Sequence, residues 1–344
     1  MRVLVLSVRA PFVHGGAEEL RDHLVRNLNL TPGVRAMSMS IPFSWDPWPR
    51  LVDEMLIARG LRLEGIDRVI PTKFPAYLVE HEGRTPWVLH QYRQAYDMWD
   101  SGHSNIPDTP EGRRVRDLIR AADLDALSGL PRLFATTQAA RRLRHYCGIA
   151  AETLSAPLND PALFSGGEPS GYVFAGGRVG GAKRQHLLVR ALRHAPGVQL
   201  IVAGPLDAAD HGDWLGRVAE EEEVTDRVRL DLRFLPRAEL AALVNGASAV
   251  AYVPLDEDSV GYVTMEAFQA GKPVVTTSDS GGVLEIVRDG ETGWVASPEP
   301  EALGAALARA VADPAAAVRQ GKAGRAALDA LGLTWPRTIE KLLS

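Results

Sequence analysis

Short apolar runs alternate with amphipathic segments along this whole chain, in two successive series. That rhythm constrains the fold more than any single motif. In the first series the spacing predicts strands at 3–8 (VLVLSV), 34–39, 67–70, 86–90 and 133–136, with helices at 17–28 and 111–127 between them. Residues 156–171 (APLNDPALFSGGEPSG) are rich in Pro, Gly and Ser and read as an interdomain linker. The second series predicts strands at 172–175, 199–203, 227–232, 249–253, 273–277 and 293–296. Its helices fall at 183–194, 213–222, 237–246, 262–271 and 299–312. Strands that alternate with helices form parallel sheets covered on both faces. The expected class is therefore α/β, with two doubly wound Rossmann-like domains at 1–160 and 161–329 facing a central cleft. A short terminal helix at 334–344 ends the chain, and residues 330–344 are expected to pack back on the first domain.

The 344 residues suffice for two cores of ordinary size. A formal net charge of −5 argues against non-specific nucleic-acid binding, which relies on neutralising phosphates. The single cysteine, Cys147, excludes an internal disulfide and a Cys-rich metal cluster, and a reducing cytoplasm is the expected compartment. The opening MRVLVLSVRAPF reads as a strand rather than a signal peptide. No window approaches the roughly 18 apolar residues of a membrane span.

In doubly wound sheets, ligands bind at the C-terminal ends of the strands, so the loops there are the place to look. After the first strand, Gly15 and Gly16 stand where the chain turns into a helix, which suits either a plain tight turn or a loop approaching an anion. His90 ends the fourth strand and suits either a polar substrate or a nearby backbone carbonyl. In GGRVGGAKRQHLL, Arg178 and Lys183 bracket a glycine-rich turn. They read as surface charge or as cations for a diphosphate. DEDSVGYVTMEAFQAGKPVV opens a helix near Tyr262, so the N–H groups of Val260, Gly261, Tyr262 and Val263 are offered to an anion. Asp258 lies in the loop before them and Glu266 about one turn inside the helix, both suited to accept from sugar hydroxyls. A glycosidase pair of carboxylates is compatible with that spacing. A hydrolase, however, has no need of Arg178, Lys183 and a helix N-terminus. The absence of G-x-G-x-x-G after either first strand argues against a reductase.

Those three stretches, with DSGGVLEIVRDGETGWV and more loosely HGGAEE, resemble the retaining family 4 glycosyltransferases of GT-B fold (glycosyl transferases group 1). The resemblance covers most of 172–296. It implies a nucleotide-diphosphate sugar held mainly by the second domain, with Arg178 and Lys183 on the diphosphate and Glu266, the second acid of an E-x7-E motif, on the ribose. Asp258, at the first acid, would contact the donor sugar, although the family more often has Glu there. Val260 and Tyr262 also depart from the usual Phe and Leu or Ile. His90 matches a histidine that contacts the donor sugar, and Gly16 would approach the diphosphate from the opposite side. Arg233 to Leu235 would offer backbone to the base. The implied reaction is metal-independent front-face transfer of a hexose-type sugar to a hydroxyl acceptor, with no cofactor beyond the donor substrate. A non-catalytic nucleotide-sugar-binding subunit and a GT-B epimerase or phosphorylase stay open as alternatives.

The first domain is expected to take the acceptor. Eight arginines between 113 and 146 face three aspartates, Asp117, Asp123 and Asp125, and Trp45 and Trp48 stand in the Pro-rich loop IPFSWDPWPR. Together these suit an anionic membrane face or a lipid-phosphate acceptor, or aromatic stacking on an acceptor sugar or other hydrophobic small molecule; basic helices from an Arg-rich composition and loop tryptophans that simply pack are the plain reading.

Overall fold

The computed structural model describes residues 1–9 and 15–344, and the chain divides into two units, Met1–Pro157 with Thr334–Ser344, and Leu158–Leu333. In the first unit β1 (Arg2–Arg9) leads into α1 (Gly16–Asn29), β2 (Arg35–Pro42), α2 (Leu51–Gly60) and β3 (Arg68–Pro71). Then come β4 (Trp87–Val88), the single turn α3 (Asp97–Asp100), α4 (Pro110–Leu127), β5 (Phe134–Ala135), α5 (Thr137–Cys147) and β6 (Glu152–Thr153). Parallel pairing runs in the orders β2-β1-β3 and β4-β5-β6. Backbone bonds such as Thr85 N–H to Val69 O (2.9 Å) and Leu89 N–H to Thr72 O (2.8 Å) join the two runs. Val3 to Leu6 are buried in succession, as a strand covered on both faces requires.

The second unit holds β7 (Tyr172–Gly176), α6 (Gln185–Ala191), β8 (Gln199–Ala203), α7 (His211–Glu221), β9 (Val228–Asp231) and α8 (Arg237–Gly246). It continues through β10 (Ala249–Ala251), α9 (Tyr262–Gln269), β11 (Val274–Thr277), β12 (Gly293–Ala296), α10 (Pro300–Ala312) and α11 (Pro314–Ala330). All six strands are parallel, in the order β12-β11-β10-β7-β8-β9. Side-chain alternation splits the core in two. Val173 and Ala175 pack with Leu188, Leu215 and Leu307 on one face, and Phe174 packs with Val244, Met265 and Phe268 on the other. The order reverses between β7 and β10, so the helices that follow these two strands, α6 and α9, pack on opposite faces of the sheet, the place where such sheets bind ligands. The chain ends in α12 (Trp335–Leu343), which belongs to the first unit: Arg68 donates to Leu342 O (3.1 Å) and Lys341 pairs with Glu152.

Three sequence expectations change. The stretch 156–171 is not a free linker from Leu158 onward. Asn159 and Phe164 are fully buried, Asn245 bonds Gly166 N–H (3.0 Å), and Lys272 donates to Gly167 O (2.7 Å), all within the second unit. The basic stretch 113–146 is met in part by acids that precede it. Arg113 pairs with Asp108 (2.6 Å), Arg116 with Asp100 (3.4 Å) and Arg142 with Asp97 (3.6 Å). Of the two loop tryptophans, Trp45 is 46% exposed, but Trp48 packs against the core beside Leu51. Among the described residues, no helix is long and apolar enough to cross a membrane.

Arg184 ties the strand-end loops of the second unit together. It stands at φ 53, in the left-handed region that favours glycine. Its guanidinium makes a two-pronged pair with Asp279 (2.7 and 2.7 Å) and donates to Val253 O (2.9 Å), Pro254 O (3.0 Å) and Thr277 Oγ1 (2.9 Å). The pair holds the Asp279 carboxyl below its ordinary pKa, chiefly through the hydrogen bonds from Arg184. Arg184→Ala should lower the stability of the second unit by about 2 kcal/mol in urea unfolding, since it strands a partly buried carboxylate and keeps the strain. Arg184→Gly should cost about 1 kcal/mol less, because glycine adopts this φ freely. Equal losses would show that the backbone is not strained there.

In the first unit Asp123 is fully buried and accepts hydrogen bonds from Tyr77 Oη (2.9 Å), Tyr96 Oη (2.8 Å) and Gln91 Nε2 (3.0 Å), with Cys147 against the same group. Burial pushes its pKa up to about 6, against the three donated bonds that hold it down. Between the ordinary carboxylate value and 6, the folded chain keeps a proton that the unfolded chain releases. Stability from this group therefore falls as pH rises from 4 to 6. Across that window Asp123→Asn should gain roughly 3 kcal/mol relative to wild type. Parallel pH–stability curves for the two proteins would contradict the assignment.

Candidate functional site

In the first unit, Gly15 caps α1 and Gly16 is its first residue. Gly15 N–H donates to Glu18 Oε2 (2.9 Å), and the buried Glu18 pairs with Lys73 (3.2 Å). Burial raises the Glu18 pKa, but Lys73 and the backbone N–H groups outweigh it and hold the carboxyl below its ordinary value. Lys73, just past β3, makes a parallel bridge with His90, just past β4. Gly15, Gly16, Glu18, Lys73 and His90 are thus gathered at the C-terminal ends of β1, β3 and β4. His90 Nδ1 lies 3.0 Å from Gln91 O. A carbonyl only accepts, so this contact needs a proton on Nδ1. The rest of the loop predicted here, through His14, lies outside the described residues.

In the second unit, Arg178 and Lys183 lie in the loop after β7. Gln185 pins that loop by donating to Arg178 O (3.0 Å) and accepting from Gly180 N–H (3.3 Å). The loop after β10 meets it through Leu255 N–H to Ala182 O (3.0 Å). Lys183 and Arg178 therefore flank the reversal in strand order, together with the start of α9. Gly261, at φ 80, caps α9, and a Cβ there would stand 2.8 Å from the Tyr252 ring. The helix ladder begins with Met265 N–H to Gly261 O (3.2 Å), so the N–H groups of Tyr262, Val263 and Thr264 precede it. Val260 and Val263 are buried in the core, and what they offer a ligand is backbone.

Each charged residue of this site has a partner that the motifs did not indicate. Arg178 pairs with Asp207 (2.6 Å), in the loop after β8, and stays 39% exposed. Lys183 pairs with Glu257 and donates to Tyr252 Oη (3.1 Å), which itself donates to Glu257 (2.8 Å). Burial alone would lower the Lys183 pKa, but Glu257 and Tyr252 raise it well above the ordinary lysine value, so the ammonium stays charged. Burial, with Glu257, pushes the Tyr252 hydroxyl up as well. Glu266 is 3% exposed and pairs with Arg237 at the start of α8, whose guanidinium also donates to Asn159 O (3.0 Å) and lies 4.7 Å from the Phe164 ring. Asp258 is half-buried in the loop before Gly261. Arg233 is exposed and pairs with Asp231 and Glu239, and Leu235 is buried. Asp207, Tyr252 and Arg237 went unnoticed because none lies in the stretches that carry the motifs, and Glu257 because the E-x7-E spacing to Glu266 selects its neighbour Asp258.

The description "Glycosyl transferases group 1" matches residues 166–327. The D-inositol 3-phosphate glycosyltransferase of Mycolicibacterium paratuberculosis is 36% identical over 178 residues, which is 49% of this chain and 38% of that protein. The glycogen synthase of Mycobacterium tuberculosis is 38% identical over 139 residues, 40% of this chain and 32% of that protein. The chain thus spans under two fifths of the length of these relatives. Whole-chain likeness comes from solved structures. Sucrose-phosphate synthase from Thermosynechococcus elongatus superposes with a TM-score of 0.76 at 20% identity, covering 99% of this chain and 97% of that one. Anabaena Alr3699/HepE in complex with UDP and glucose gives 0.72 at 17%, covering 100% and 98%. Residues 166–327 are therefore a domain of the glycosyl transferases group 1 family, carried in a chain of GT-B fold.

Proposed function

We propose that this protein is a retaining glycosyltransferase, moving a hexose-type sugar from a UDP- or GDP-sugar to a hydroxyl acceptor. The observation that carries the reading is the pair of cations, Arg178 and Lys183, beside the N-terminus of α9 at the reversal in strand order. Breaking the anomeric C–O bond leaves an oxocarbenium-like carbon and a nucleotide diphosphate. Negative charge develops on that leaving group, and fixed cations with oriented N–H donors stabilise it before solvent needs to reorganise. These groups can meet that charge without a metal ion. The new bond forms between the anomeric carbon and the acceptor oxygen on the face the diphosphate leaves, and the acceptor's proton passes to the departing phosphate oxygen. Glu266 suits the ribose hydroxyls, held in place by Arg237. The His90 ring is of a chemistry that suits a sugar hydroxyl, and the first unit takes the acceptor substrate. The UDP complexes of Anabaena Alr3699/HepE support a uridine nucleotide as the first donor to try.

The test is thermal unfolding with UDP-, GDP-, dTDP- and ADP-sugars, without added metal. A true donor stabilises the folded chain by about 2.7 kcal/mol at a hundred times its Kd. Lys183→Ala and Arg178→Ala should each weaken binding by roughly tenfold or more, the scale of one charge-assisted contact. Glu266→Ala should remove turnover. Binding that survives both cation substitutions would overturn the assignment.

A further inference from the structure

His90 stands just past β4, where the sheet stops fixing the chain. Leu89 N–H still donates to Thr72 O (2.8 Å) and Lys73 still bridges His90, but the residues that follow leave for a turn at Arg93–Ala95. Nδ1 of the His90 ring meets Gln91 O (3.0 Å), so the direction of the ring depends on how the Gln91 peptide is set. Gln91 is 2% exposed, and its Nε2 donates to the buried carboxylate of Asp123 (3.0 Å). We propose that Gln91 and Asp123 are positioning residues: from within the core the carboxylate grips Gln91, and Gln91 in turn aims the His90 ring at a hydroxyl of the donor sugar. The inference rests on the reading of His90 given above.

Three observations carry it. Asp123, on α4, gathers segments that leave the strand ends: Tyr77 after β3 (2.9 Å), Gln91 after β4 (3.0 Å), and Tyr96 after the turn that follows (2.8 Å). A carboxylate has only acceptor sites, so each of these donors is held in one direction. Stability does not explain the group. A carboxylate at 0% exposure is costly beside an apolar side chain of similar volume, and Gln91 Oε1 is buried with no partner among the described residues. Elsewhere on its buried face α4 fills the core with Val115, Ile119 and Ala126. The last observation is adjacency. His90 is half-buried and Gln91 buried, so the ring and its anchor are joined by a single peptide group. Without the anchor that peptide is free to turn, and the carbonyl that meets Nδ1 turns with it. A contact that must sit within a fraction of an ångström of a sugar hydroxyl needs this kind of support from below.

Two measurements test this on the whole chain, with wild type, His90→Ala, Gln91→Met and the double variant, each checked for folding by thermal unfolding. Methionine keeps the length of glutamine without its amide. In ligand-free protein carrying isotope-labelled histidine, magnetic resonance reads the His90 ring, assigned by the signals that His90→Ala loses. Those signals should move toward the values of an unconstrained imidazole in Gln91→Met. Calorimetry then compares UDP with UDP-glucose, and GDP with GDP-mannose. His90→Ala should cut the advantage of the nucleotide sugar over its free nucleotide roughly tenfold, the scale of one hydrogen bond. Gln91→Met should cut it about threefold or more, and should add nothing in the double variant, because it acts only through His90. A merely structural role would lower the unfolding temperature and leave the ring signals in place, or would lower the ratio as much without His90 as with it. Either result overturns the proposal. A ratio that His90→Ala leaves unmoved would overturn the reading of His90 on which it stands. Binding of none of the four probes would overturn the donor site itself, while the ring signals would still decide whether Gln91 aims His90.

Discussion

A single guanidinium, that of Arg184, binds together the strand-end loops of the second unit. A parallel sheet supports its strands but not the loops that leave them, and those loops have little reason to hold a common position. Arg184 supplies one. It follows Lys183 in sequence, caps α6, and reaches the loop after β10 through Val253 and Pro254 and the end of β11 through Thr277 and Asp279. The residue accepts a left-handed backbone to do so. That strain persists because five donated hydrogen bonds over-determine the conformation. Lys183, Glu257 and the start of α9 all inherit their places from this arrangement.

Most strands were legible because they are buried on both faces and therefore read as continuous apolar runs. Residues 199–203 and 293–296 match β8 and β12 at both ends. The helices α2, α5 and α11 were not foreseen. Helix α2 carries Leu56 and Ile57 exposed, which blurs its periodicity, and α11 is an Ala-rich stretch whose closest approach to its neighbours is made at glycine. At Gly321 a Cβ would stand 1.9 Å from Gly271 O, a constraint that composition does not disclose. Strand β6 is two residues long, too short for any pattern. In the candidate site the motifs indicated which loops matter. They did not indicate the partners, because Asp207 and Glu257 meet Arg178 and Lys183 only through strand order.

The basic stretch 113–146 shows the same limit from the other side. Counted along the chain, its arginines exceed the three aspartates among them. Folded, Arg113, Arg116 and Arg142 meet Asp108, Asp100 and Asp97, which precede the stretch. Charge summed over a sequence window is a poor guide to surface potential wherever a helix packs beside the loop that precedes it. Three of the eight arginines in the stretch are engaged in this way.

The counter-charges in the second unit have a physical logic of their own. On the donor-site reading proposed above, a cation that binds a diphosphate must be dehydrated enough to bind it strongly, yet a half-buried cation with no partner is costly in the ligand-free chain. Pairing Arg178 with Asp207 and Lys183 with Glu257 offsets that cost and keeps both cations charged and in place. Such a pairing must also yield. At 39% exposure Arg178 remains within reach of solvent and ligand, and a diphosphate presents more negative charge than the single carboxylate it meets. Binding then exchanges one set of partners for another instead of creating charge contacts from nothing, which limits the affinity for the nucleotide alone. Under the transfer reaction proposed above, this limit would ease release of the nucleotide product, which a site of unpaired cations would hold more tightly.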